Sequence, residues 1–257
     1  YSGRLELPGM PASVSLLPVK GIGEIRPGDP LAEHILPDLQ NLAQSGDVLV
    51  VTHKIVSKAE GRVVDLRTVE PSDWARQWAE RWKKDPRQIE VVLRESAGIL
   101  RMEHGIIVSR TRHGLVCANA GVDRSNSPGE TVCCLPDDPD ASARALSSQL
   151  SQSLGFTLPV LISDSFGRAW RIGIVNVAIG VAAMDPFTDY RGQDDPHGYP
   201  LEASIMGSAD ALCAAAELVM GKTDGVPAAL VRGFDWKPME NPSSRSMIRP
   251  LDQDFFR

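Results

Sequence analysis

Apolar residues follow two kinds of pattern along this chain: short unbroken runs, and longer stretches with helical spacing. Residues 16–19 and 47–52 are runs of the first kind, the second opened by a Ser45-Gly46-Asp47 turn. Each predicts a buried strand. Between them, residues 30–43 place Leu31, Ile35, Leu39 and Leu42 on one face, which predicts a helix. Pro71, Ser72 and Asp73 open a second helix, in which Trp74, Trp78 and Trp82 recur every four residues. That spacing makes one helix face, so the stripe predicts core or subunit interface rather than a ligand platform. Residues 87–96 predict a further helix, 105–109 and 114–118 two strands joined by a turn, and 139–154 an amphipathic helix. Residues 158–163 and 174–183 read as strands, 202–220 as an Ala-rich helix stopped by Gly221, and 227–232 as a last strand. Residues 185–200 form a polar loop with three prolines, and the polar tail after Trp236 runs over the surface. Strands and helices alternate, their connections are irregular, and no internal repeat is present.

Composition narrows the functional classes. A chain of 257 residues is long enough to bury a core and predicts one large or two small domains. With 27 Lys and Arg against 33 Asp and Glu, the net charge is −6. That balance argues against a nucleic-acid-coating protein, whose partner needs a basic surface, but leaves room for a local cationic pocket. The most apolar window, residues 172–184, is shorter than the roughly 18 residues of a membrane span and is interrupted by Asn176. No membrane partner is expected. The four cysteines, two of them adjacent, read as reduced thiols, and with no secretory signal the protein is expected in the cytoplasm.

Several common chemical signatures are missing. There is no Gly-rich loop ending in Gly-Lys-Ser or Gly-Lys-Thr, no GxGxxG, no GxSxG and no HExxH, and the five histidines lack metal-ligand spacing. Four polar clusters instead follow apolar segments, where ligands gather in α/β proteins. They cover residues 52–62, 119–126, 163–171 and 220–226. Taken singly, each also reads as ordinary structure: a solvated helix start, a tight turn, an N-capped helix and a helix stop. Together they supply carboxylates at Asp123 and Asp164, several cationic groups and several glycines. That inventory suits metal-assisted handling of a nucleoside triphosphate. It leaves open a ligase, a metal-dependent phosphohydrolase and a non-catalytic nucleotide-binding module.

The order of certain segments adds to this reading. They are Leu17-Pro18-Val19-Lys20-Gly21-Ile22, Gly46-Asp47-Val48-Leu49-Val50-Val51-Thr52, Lys54-Ile55-Val56-Ser57-Lys58-Ala59-Glu60-Gly61-Arg62, Ala120-Gly121-Val122-Asp123-Arg124-Ser125-Asn126, Asp164-Ser165-Phe166-Gly167-Arg168-Ala169-Trp170-Arg171 and Val231-Arg232-Gly233. In this order the sequence resembles the coenzyme F-420:L-glutamate ligases, or gamma-glutamyl ligases. The resemblance implies a GTP-dependent ligase that adds L-glutamate to the lactyl-phosphate tail carboxylate of a deazaflavin precursor, and then further gamma-linked glutamates. A related amide ligase on another carboxylate metabolite is the nearest alternative. The implied fold is an α+β, two-domain mixed α/β monomer. It forms an intertwined homodimer with the active site in an interface groove. Residues 1–257 are read as a single ligase region of two intertwined subdomains, without the C-terminal reductase domain that bacterial members can carry.

The resemblance also implies site residues. Asp123, Asp164 and Ser165 would hold divalent metal, two Mg or Mn ions. Ile22, Gly23, Glu24 and Ile25 would line the guanine nucleotide, with His53, Lys58 and Asn126 contacting it. Met220, Gly221, Lys222, Thr223, Asp224, Gly225 and Val226 would close over it. Arg168 and Arg171 are expected to be catalytic, binding acceptor or glutamate through planar forks suited to carboxylate and phosphate. Two departures stand out. Gly23 occupies a position that is often Pro, and Lys222 replaces a Gln that can ligate metal in archaeal members. An ammonium has no lone pair to offer a metal.

Overall fold

The computed structural model describes residues 13–125, 127 and 129–254. In chain order the elements are β1 (Ser15–Val19), α1 (Leu31–Leu42), β2 (Val48–Thr52), α2 (His53–Ala59) and β3 (Val63–Asp65). Next come α3 (Asp73–Trp82), α4 (Pro86–Glu95), β4 (Ser96–Glu103), β5 (Ile106–Thr111), β6 (Val116–Ala118) and β7 (Thr131–Cys133). The last are α5 (Pro139–Leu154), β8 (Val160–Arg168), β9 (Arg171–Ala182), β10 (Thr188–Asp189), β11 (Ile205–Met206), α6 (Ser208–Met220) and β12 (Ala228–Arg232).

β2 is a run of valines and leucine with no polar face, so it must be covered on both sides. It lies at the centre of a five-stranded sheet of order β1-β12-β2-β8-β9. Only the β2–β8 pair is parallel. Alternation along the strands divides the core into two layers. Leu49, Val51, Val160, Ile162 and Leu230 meet Ile35 and Leu39 of α1 and Ala143, Leu146 and Leu150 of α5. Val48, Val50, Leu161 and Val231 meet Leu212, Cys213 and Ala216 of α6. α5 ends where its sequence says it should. The Asp138 side chain accepts from the Ala141 N–H, Pro139 takes the first turn, and Gly155 closes it in the left-handed conformation at φ 80°.

A separate core lies between α2 and α5 in the chain. α3, α4, the β3–β7 pair and the three-stranded sheet β4-β5-β6 gather around Leu66, Ala75, Trp78, Ile89, Val92, Ile107 and Val132. The architecture is thus mixed α/β with several sheets. Trp78 is buried in this core, and Trp74 and Trp82 pack on either side of it at ring-centroid distances of 6.1 and 5.7 Å.

Several elements differ from the sequence reading. Residues 202–207 are not helical, because Ile205 and Met206 pair with β10 and α6 begins only at Ser208. β4 was absent from that reading, and its register against β5 shifts twice, which breaks the alternation a strand would show. Residues 164–168 do not begin a helix. β8 runs through them and pairs with β9 as far as Arg168 and Arg171, so the two strands form one long hairpin. Among the described residues, no helix is long and apolar enough to cross a membrane.

One ion pair ties the sheet to the turn ahead of β2. Arg232 donates from Nε and Nη2 to the two oxygens of Asp47, at 2.9 and 2.8 Å, and from Nη2 to the Leu42 carbonyl at 2.6 Å. Gly233 follows at φ 89°, and a Cβ there would lie 2.1 Å from the Ser13 carbonyl oxygen. The Val231-Arg232-Gly233 segment is therefore explained by folding alone.

Candidate functional site

β2 and β8 run side by side until Thr52 pairs with Ser163. There β2 turns directly into α2, whereas β8 continues. Asp164 and Ser165 therefore stand just past the last rung of the β2–β8 ladder. This open edge is one side of a cleft of about 300 Å³. Thr52, Lys54, Ile55 and Lys58 line it from the end of β2 and from α2. Gly23, Glu24 and Ile25 form a second side, and Met220, Gly221, Lys222, Thr223, Gly225 and Val226 a third. Asp164, Ser165 and Asn176 complete it from the β8–β9 hairpin.

The three lysines that line this cleft each meet a carboxylate. Lys54 Nζ lies 2.6 Å from Asp123 Oδ2 and donates to Ser125 Oγ at 2.5 Å. Lys58 donates to Glu24 Oε1 at 2.7 Å. Lys222 donates to Ser165 Oγ at 3.0 Å and lies 3.2 Å from Glu217. Asp123 does not itself line the cleft but reaches it through Lys54. Burial raises the pKa of its carboxyl, yet the Lys54 ammonium and the Ser125 hydroxyl and amide outweigh that and hold it below the ordinary carboxylate value.

His53 is 1% exposed and sits behind the cleft rather than in it. Its Nε2 is 3.3 Å from Asp164 Oδ1, and its Nδ1 is 3.2 Å from Ser57 Oγ, one helical turn along α2. Asp, His and Ser in this order resemble a nucleophilic triad. Ser57 has no exposed surface, however, so no substrate can reach its oxygen. Among the described residues the His53 Nε2 makes no hydrogen bond, and Asp164 is held instead by the Ser165 N–H, which donates to its Oδ1 at 2.7 Å. The four cysteines, all free and buried, are equally unsuited to attack. Burial, and then the Asp164 charge, push the Cys117 thiol up to about 12.

Other sequence-predicted residues lie elsewhere. Ile22 is packed into the core beside α1 and does not line the cleft. Asp224 lies in the closing turn without lining it, close enough that a Cβ on Gly221 would meet its carboxylate at 2.5 Å. Asn126 lies outside the described residues. Arg168 and Arg171 close the far end of the hairpin, about 13 Å of strand beyond Asp164. Arg168 is held there by the carbonyls of Ile172 and Gly173. Thr52, Lys54 and Ile55, members of the first polar cluster though not of the implied nucleotide contacts, also line the cleft, and so do Asn176 and Pro227, which no cluster included. The interruption at Asn176 of the longest apolar window was the available signal for that residue.

The donor chemistry fits a hard divalent cation. Asp164 and Ser165 present oxygen to the cleft, and the Asp123 carboxylate already balances a cation in the form of the Lys54 ammonium. Among the described residues no group of three or more His, Cys, Asp or Glu converges. An ion here would therefore draw on hydroxyl, amide and phosphate oxygens as well, the habit of Mg and Mn at nucleotide sites.

Comparison with known proteins gives this geometry a context. Residues 21–233 match the profile of the F420-0:gamma-glutamyl ligase family. The coenzyme F420:L-glutamate ligase of Methanothermobacter thermautotrophicus is 43% identical over 249 residues, covering 95% of this chain and 99% of its own. That of Methanopyrus kandleri is 44% identical over 253 residues, with coverage of 97% and 99%. The chain belongs to this family. Every residue lining the cleft, from Gly23 to Pro227, falls within its F420-0:gamma-glutamyl ligase region.

Proposed function

We propose that the protein is a GTP-dependent ligase that adds L-glutamate to the lactyl-phosphate tail carboxylate of the deazaflavin coenzyme F-420 precursor, and then further gamma-linked glutamates. One observation carries this reading beyond family membership. Three lysines and the Asp164 carboxylate line a single cleft at the ends of two parallel strands, and Lys54 links Asp123 to it. A triphosphate and a carboxylate acceptor repel one another, and such a set of charges brings them together.

In this reading Gly23, Glu24, Ile25 and the turn from Met220 to Val226 hold the nucleotide. Lys58 and Lys222 take its phosphates, exchanging the carboxylates they now contact. Asp123, Asp164 and Ser165 hold two Mg or Mn ions, which when bound neutralise the triphosphate and polarise its terminal phosphoryl group. The Ser165 N–H keeps Asp164 in place. Phosphoryl transfer to the tail carboxylate gives an acyl phosphate, and the glutamate amine displaces phosphate from it. The site must exclude water meanwhile, or the acyl phosphate hydrolyses.

A second copy would supply that cover. The end of the β8–β9 hairpin exposes Trp170 at 83% and Ile172 completely, an apolar pair that suits burial against another protomer. We place the homodimer contact there, with Arg168 and Arg171 meeting acceptor or glutamate in the groove so formed. The protein would work in the cytoplasm.

The deciding experiment combines pure protein, GTP, manganese, L-glutamate and the deazaflavin precursor and reads product mass. The expected product is heavier by one or more glutamyl residues, and the Asp164→Asn variant should lose most turnover. Phosphate release without glutamate would instead identify a phosphohydrolase. GTP binding without any turnover would identify a binding module.

A further inference from the structure

We infer that the side-chain oxygen of Asn176 is a donor to a divalent cation in the cleft, on the same strand face as Ser165. Asn176 lies on β9 directly opposite Ser165 on β8. Opposed residues of an antiparallel pair carry their side chains on one face, so the two present their polar atoms to the same side. Asn176 is 6% exposed and lines the cleft. Its Oδ1 is cut off from solvent and has no hydrogen-bond partner.

A buried carbonyl oxygen without a partner is costly, and the surrounding strand shows what would avoid the cost. Its neighbours Val175 and Val177 are apolar, and a residue of that kind at position 176 would leave no polar atom to satisfy. A ligand gives the oxygen its partner. An N–H donor or a hard cation could do so, and the surroundings favour the cation. Ser165, which faces Asn176 across the pair, contributes a hydroxyl oxygen, and Asp164, the next residue along β8, also lines the cleft. The ammonium on that side, Lys222, is directed at Ser165 and Glu217 and, in the function proposed above, turns from them to phosphate, which leaves the Asn176 oxygen to the cation. A carboxylate, a hydroxyl and a neutral amide oxygen form a hard donor set. The amide adds coordination without adding negative charge to a cleft proposed to take a triphosphate.

This inference rests on the metal-dependent part of the function proposed above and not on the identity of the acceptor. Its test uses manganese alone, with no nucleotide, glutamate or deazaflavin present. Free manganese is followed by electron paramagnetic resonance as it is titrated into the full-length wild type, Asn176→Leu and Asn176→Asp, each first checked by thermal melting. The wild type should bind manganese. Leu should weaken binding at least tenfold, and Asp, which adds a charged oxygen at the same place, should tighten it. If Leu fails to fold, the Asp variant alone decides, by tighter or unchanged manganese affinity. Equal affinities in all the folded proteins, or no uptake by the wild type, would overturn the assignment. Wild type that binds manganese in this pattern yet forms no glutamylated product would sink the ligase reading and leave this one standing.

Discussion

Asp123 and Lys54 hold one another beside the cleft, so removing the Asp123 charge should have opposite effects with and without metal. Lys54 lines the cleft, and its ammonium is tied to Asp123 at 2.6 Å. The Asp123→Asn substitution keeps the shape and the bond from the Ser125 N–H, now 2.8 Å long, while removing the charge that attracts the lysine. The pair joins a lysine that is 18% exposed to a carboxylate that is 43% exposed. Its strength therefore lies between that of a screened surface pair and that of a buried charge-assisted bond, about 1–2 kcal/mol. Freed for a phosphate, Lys54 should improve metal-free GTP binding by about 5- to 30-fold, the equivalent of that energy. With manganese the order should reverse. The wild type gains affinity as the metal takes Asp123, and the variant gains much less. Titration calorimetry with GTP, once with chelator and once with manganese, measures both. Because the Asp123 carboxyl is held below its ordinary value, its charge, and with it the pair, persists through neutral pH and is lost only as pH falls through that lowered value. An assay at pH 7 thus reads charge and not titration. Metal-free binding no tighter than wild type, or a full manganese response in the variant, would refute the reasoning.

The remaining predictions concern stability and assembly. Replacing Arg232 by Ala strands Asp47, 1% exposed, without a cationic partner and with only the Gln44 N–H on its carboxylate. That should cost about 3 kcal/mol or more and lower Tm by about 6–12 °C, whereas a melt within 2 °C of wild type would mean that water replaces the guanidinium. Changing Trp170 and Ile172 together to Asp should convert the proposed dimer to a monomer by light scattering at micromolar concentration, with unchanged far-UV circular dichroism and a melt that no longer depends on protein concentration. A dimer of undiminished mass would move the interface away from the hairpin end.

Elements buried on two faces or capped in sequence were legible before the structure. β2 and β12 are continuous apolar runs, and α5 carries an Asp cap, a Pro at its start and a Gly at its end. The misreadings share a physical cause. β4 leaves Ile99 and Leu100 partly exposed and changes register twice, so its pattern matches neither a helix nor a strand. β11 is two residues long and owes its form to β10, which lies fifteen or more positions earlier in the chain. Helical composition at residues 202–207 could not signal a pairing so distant. Local propensity yields wherever a tertiary partner decides the backbone.

The site was legible as a set of strand ends and illegible in its depth. Polar residues gathered just after the last apolar positions of β2 and β8, and the fold brings those ends together because the two strands are parallel neighbours. Sequence order, however, does not say which residue of a cluster faces the ligand. In the first cluster His53, Lys54, Ser57 and Lys58 share one short helix. The helix turns Lys54 and Lys58 into the cleft, four positions apart on one face, and turns His53 and Ser57 inward beneath Asp164. The same periodicity that makes the floor cationic thus buries an imidazole and a hydroxyl behind it. In the third cluster, reading residues 164–171 as a helix would have put Asp164 and Arg168 one turn apart and on one surface. As a strand they are separated by about 13 Å, which leaves the carboxylate in the cleft and the arginine at the hairpin's far end. Any role of Arg168 at the cleft then requires something to bridge that distance, and in the function proposed above the bridge is a second protomer. A monomer that binds acceptor as tightly as the dimer would remove that requirement, and with it the reason to place the arginine in the active site.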